Sequence, residues 1–118
     1  MDISAFEEQL KEWNIPFAVI ADLETGHAIR IGNSTELGFD DLENALFRDA
    51  ETVVATGRSL HGQIMPRSWS QGKVSCVVCK PDEQTVVGLF CNDQLNPVEK
   101  YHLSKQLNAG VAEVFSRN

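Results

Sequence analysis

The side chains with most chemistry to offer are Cys76, Cys79, Cys91, His27, His61, His102 and the acidic group Asp40, Asp41 and Glu43. Cys76-Val77-Val78-Cys79 has the spacing of half a metal site. It lies in an alternating apolar run that reads as a strand, where residues three apart point to opposite faces. Two thiols so placed cannot reach one tetrahedral ion. No second pair or neighbouring histidine completes a set. Small buried hydrophobes account for both residues better. Cys91 closes a strand and is the thiol with most chance of exposure. The histidines fall at a turn, a loop and a helix flank, without the spacing of a ligand set, and lone histidines are commonly surface or capping groups. A Cys/His nucleophile pair would have to assemble in space. Asp40, Asp41 and Glu43 suit a helix start, where carboxylates meet free N–H groups and the helix dipole. Gly32-Asn33-Ser34 lacks the G-x-x-x-x-G-K-[ST] phosphate-loop pattern. No catalytic, metal-binding or cofactor-binding residue is assigned.

The elements that would position any site are clearer. The chain has 118 residues, 42% hydrophobic and 23% charged, which suits one globular domain over 1–118 with an ordinary core. Seventeen acidic residues against ten basic ones leave a formal charge of -7. That sign disfavours nucleic acid and anionic membrane surfaces. No apolar run approaches the roughly 20 residues needed to span a bilayer. An odd number of strand cysteines and an acidic, helical N-terminus without a signal-peptide pattern suit the cytoplasm.

A first helix is expected from Asp2 to about Asn14, with Ile3, Phe6, Leu10 and Trp13 on one stripe. Phe17–Asp22 and His27–Ile31 read as strands one and two, the first apolar on both faces and the second short and wet on one. A loop over Gly32–Gly38 leads to a second helix, about Asp40 to Thr56, stopped by Gly57. Phe39, Leu42, Leu46, Ala50 and Val53 make its core stripe. Phe47 and Val54 form a shoulder that widens the apolar arc to about 140°, more than the roughly 100° one sheet face needs. Three strands follow: Gly62–Trp69, Lys73–Lys80 and Thr85–Cys91. Pro66 makes the first of these an edge or bulged strand, and Ser70-Gln71-Gly72 turns it into the next. Asn96, Pro97 and Glu99 then start a last helix with Leu103, Leu107, Val111 and Val114 on one face. Gly110 on that face lets it approach a neighbour closely.

The order is α-β-β-α-β-β-β-α. Hairpin pairing, with the doubly apolar strands one, four and five kept inside, gives an α/β (α+β) fold. It is a five-stranded antiparallel sheet of order 2-1-5-4-3 with helices on both faces. The first and last helices share one face and the second covers the other.

This element order, the chain length and the passage from ETVVATGRSL into GQIMPRSWSQGKVSCVVCKPDEQTVVGLF resemble the roadblock family of dynein light-chain-type domains, over about Phe6 to Phe115. The resemblance implies a non-enzymatic homodimer joined through its second helix and third strand. It also implies a platform or regulator for small Ras-like GTPases or related complexes. On this chain the interface would use Phe47, Glu51 and Val54 with Ile64, Met65 and Arg67. The surplus apolar shoulder lies on the helix that the family uses to self-associate. Trp69 beside Arg67 is a candidate partner contact, or else a lid over the sheet end. The alternative is a small-ligand sensor of profilin-like topology, marked by a pocket between helix and sheet lined by Cys76, Cys79 or Cys91.

Overall fold

A computed structural model describes residues 3–32, 40–71, 73–92 and 96–116. Of the expected loop over Gly32–Gly38, Gly32 closes β2 and the rest lies outside the described residues, as do the stripe residue Phe39, the turn residue Gly72 and the helix start at Asp2. The elements are α1 (Ile3–Glu12), β1 (Phe17–Asp22), β2 (Ala28–Gly32), α2 (Asp40–Phe47), α3 (Ala50–Ser59), β3 (Arg67–Gln71), β4 (Val74–Asp82), β5 (Thr85–Asn92) and α4 (Pro97–Ser116). The five strands form one antiparallel sheet of order β2-β1-β5-β4-β3, as expected.

Two hydrophobic clusters sandwich the sheet. On one face Phe17, Val19, Ala21, Cys76, Val78, Val86 and Phe90 pack under α2 and α3 through Leu42, Leu46, Phe47 and Val53. On the other, Ala18, Ile20, Val77, Cys79, Val87 and Leu89 pack under α1 and α4 through Phe6, Leu10, Leu107, Val111 and Val114. Strict alternation along β1, β4 and β5 sorts their side chains between the clusters. Both sets are apolar, so these strands occupy the centre.

The second helix differs from its expected form. It is two helices, broken at Arg48–Asp49. Asp49 adopts an extended backbone (φ -151°, ψ -179°) and caps α3, accepting from the Thr52 amide at 2.8 Å and the Thr52 hydroxyl at 2.7 Å. The last carbonyls of α2, which a continuous helix would have satisfied, are met from outside. The Thr56 hydroxyl donates to the Leu46 oxygen at 2.7 Å. Arg30 Nη2 donates to the Phe47 oxygen at 2.7 Å, and its Nε pairs with Glu43. Gly57 is not the stop. The helix runs on to Ser59, and Gly57 instead makes room for Leu23, which a Cβ there would strike.

The helix starts and stops on the other face follow the sequence. Asn96 caps the head of α4: its Oδ1 accepts from the Glu99 amide at 2.8 Å, and its Nδ2 donates to the Glu99 carboxylate. Asn14 ends the first helical segment in the left-handed region at φ 58°. Gly110 admits the Trp13 ring, the close approach its position on α4 predicts.

Candidate interaction face

The thiols are placed as the strand period requires. Cys76 lies in the α2/α3 cluster and Cys79 in the α1/α4 cluster, on opposite faces of the sheet. Burial, with smaller contributions from the other two thiols, pushes Cys76 well above its ordinary value; burial pushes Cys79 up to about 12. At neutral pH both are therefore thiols rather than thiolates, the weaker form as nucleophile or ligand. His27, His61 and His102 are all exposed and come from three different parts of the chain. Among the described residues no group of three His, Cys, Asp or Glu side chains is arranged to hold a metal ion.

The residues assigned to an interface divide. Phe47 is 0% exposed. Its ring stands edge-on to Phe90, with centroids 6.2 Å apart, over Gly88, where an added Cβ would lie 2.6 Å from the ring. Phe47 is therefore a core residue. The break after it ends α2, and the missing side chain at Gly88 leaves space that the ring fills. Its half of the apolar shoulder is covered by this chain's own sheet. Gly88 was legible only as a gap in an apolar strand, a signal of close approach.

Val54 remains half-buried on α3 and Glu51 is exposed. Val54 lines a surface cleft with Leu23, Arg58, His61 and Lys80. Ile64 is 83% exposed. Ile64 and Met65 were expected on strand three, but β3 begins at Arg67, after Pro66, because proline brings no N–H to the ladder. Both residues lie in the segment leading into the edge strand, with Met65 partly buried against the α2/α3 core. Arg67 is exposed. Trp69 is partly buried against the same core, opposite Cys76 in the β3–β4 register, a placement that suits the lid reading. β3 pairs only with β4, so its outer edge carries no described strand.

The chain is similar in fold to MglB of Myxococcus xanthus. The superposition has a TM-score of 0.59 at 14% identity, covering 94% of this chain and 91% of that one. MglB is a roadblock/longin-fold GTPase regulator, so the fold is the one the sequence resemblance implies. No protein-family model matches the chain, and no curated protein matches its sequence. The likeness to MglB is one of architecture. It extends over nearly the whole of both chains. No described helix is long and apolar enough to cross a membrane.

Proposed function

We propose that the chain is a non-enzymatic, dimeric regulator or scaffold of a small Ras-like GTPase, working in the cytoplasm. The observation that carries this reading is the likeness in fold, over nearly the whole chain, to a GTPase regulator. The surface gives it a place to act. The edge strand β3 carries the exposed Arg67, and the highly exposed Ile64 and the partly accessible Met65 lead into it; Glu51 and Val54 lie on α3. An exposed aliphatic side chain beside an open edge suits burial against a second copy.

Burying Ile64 in a dimer contributes about 1.5–3 kcal/mol per side chain relative to exposure. Light scattering behind a sizing column should give a mass near twice 13.1 kDa. Ile64→Asp should shift that mass to the monomer while leaving the thermal midpoint of the monomer fold unchanged. A wild-type monomer at high concentration would overturn the dimer. For the partner, proteins retained on the immobilised chain from its source extract should include one carrying GTP or GDP. A retained set without bound nucleotide would overturn the GTPase reading.

A further inference from the structure

The α1/α4 face holds a groove that shares only Ile64 and Met65 with the proposed dimer face. The apolar cluster on this face draws its strand residues from β1, β4 and β5 and stops at Val77. Beyond it, β3 presents Ser68 and Ser70, which stand opposite Val77 and Ser75 in the β3–β4 register. Short hydroxyl side chains on the edge strand leave a space beside α4 that larger residues would have filled. The resulting groove has a volume of about 370 Å³, at the lower end of the roughly 300–1,000 Å³ typical of small-molecule sites.

Its lining is chemically sorted. The floor is hydroxyl-rich. Ser75 and Ser104 are buried, and the Ser70 and Ser75 hydroxyls lie 3.1 Å apart. Whichever of that pair donates to the other, one O–H remains to donate elsewhere. The walls are apolar: Met65, Pro66, Val77 and Leu103, with Ile64 and Tyr101 at the mouth. Lys100 and Lys105 come from α4, and Lys105 Nζ stands 5.4 Å from the Tyr101 ring centre. Among the described residues no carboxylate lines the groove, although acidic residues outnumber basic ones 17 to 10 along the chain. Screening at physiological salt reaches only about 8 Å, so net charge far along the chain weighs little against the Lys105 ammonium.

We propose that this groove binds a small amphipathic carboxylate. Its anionic head sits between Lys105 and the Ser70 and Ser75 hydroxyls, and its apolar body lies against Met65, Val77 and Leu103. The Ser104 hydroxyl donates to the Tyr101 carbonyl at 2.8 Å, so the O–H left by the Ser70/Ser75 pair and the Lys105 ammonium are the donors that match a carboxylate's acceptor oxygens, and the walls bury the tail. Buried hydroxyls at the floor lie below the reach of a flat partner surface and favour a compact molecule over a protein segment. The site goes beyond the regulator reading, and on the opposite face of the sheet from α3 it could report ligand to a partner docked there.

The test is a titration of the isotopically labelled full chain with octanoate, followed by amide NMR, beside the same titration with neutral octanamide. Saturable octanoate shifts should centre on Ser70, Ser75, Ser104 and Lys105, and octanamide should bind at least tenfold more weakly. Lys105→Glu should weaken octanoate at least tenfold. Ser70→Leu, on an exposed edge position, should fill the groove and abolish the shifts while the thermal midpoint is kept. Equal binding of octanoate and octanamide would overturn the charge assignment. Shifts confined to Ile64 and Tyr101 would show a surface for a protein partner in place of a ligand site, and absence of saturable shifts would overturn the site.

Discussion

The two faces of the sheet are built from the same strands and closed in different ways. On the α1/α4 face, helices with locally encoded caps lie over the central strands, and the core stops before the edge. On the α2/α3 face, a broken helix reaches further. Its cluster takes in Trp69 on β3 and Met65 just before it, so that face is covered out to the edge strand. The break allows this. A straight helix from Asp40 to Thr56 would carry Phe47 and Val54 as a lateral shoulder. Divided at Asp49, the two halves let Phe47 drop onto Gly88 while α3 takes its own line. Covering a twisted sheet to its edge requires a cover that bends, and the bend costs carbonyl partners that Thr56 and Arg30 restore. The other face keeps a straight helix and leaves a groove.

The largest effect that would break this comparison is at the point where the bent cover meets the sheet. Phe47→Ala removes the ring over Gly88, where no neighbouring Cβ can fill the space. It should cost about 3–5 kcal/mol in urea unfolding. An aspartate at the same position should prevent folding altogether, rather than yield a soluble monomer as an exposed dimer contact would. A cost near zero for Phe47→Ala would mean that the ring does not close this face.

A smaller effect is expected at the repaired carbonyls. Thr56→Val keeps the shape and removes the hydroxyl that meets the Leu46 oxygen. Leaving that buried acceptor unpaired should cost about 1–3 kcal/mol. Hydrogen exchange should show the loosening in α2 and α3, with amides of α4 unchanged. Equal loosening of both faces would say that the break and the opposite face are one cooperative unit.

The smallest effect is a pH dependence confined to the break. The Asp49 carboxyl is held below its ordinary value of 3.8, first by the Thr52 backbone N–H and then by the Thr52 hydroxyl. A carboxylate with a lowered folded value adds stability that is complete above 3.8 and fades as pH falls through that lowered value. Asp49→Asn should keep a capping acceptor and lose this dependence. The difference in thermal midpoint between wild type and variant should therefore stay constant from neutral pH down towards 3.8 and shrink as pH falls from there through the lowered value. Asp49→Ala should lower the midpoint at neutral pH. A constant difference between wild type and Asp49→Asn would show that the carboxylate's charge adds nothing to the cap.

Most of the sheet was legible because its signals are local or pairwise. Ala18 and Ile20 alternate with Val19 and Ala21, and Cys76 and Val78 with Val77 and Cys79. Doubly apolar strands must lie inside, and hairpin connectivity then leaves one order. Asn96-Pro97-x-Glu99 marks a helix start within four residues. Asp49 with Thr52 has cap spacing, but the apolar stripe runs through it on both sides, so the pattern reads as one continuous helix. Phe47 followed from that error. Read on a continuous helix it is surplus, and on a broken one it is core. Pro66 correctly marked an edge, but it also set the strand's beginning, so Ile64 and Met65 fell outside the ladder. The groove beside Ser68 and Ser70 had no local signature, since serines on an edge strand usually signal only a wet face.

The sequence by itself determined the sheet order, which helix covers which face, and the opposite placement of Cys76 and Cys79. Strand period and capping chemistry act over a few residues and leave little freedom. Only the tertiary structure decided where the second helix divides, that Phe47 belongs inside, and that the core ends one strand short on the α4 side. Those outcomes depend on contacts between residues far apart in the chain. Phe47 with Gly88, Arg30 with the Phe47 carbonyl, and α4 with β3 are set by the shape left after the rest has packed.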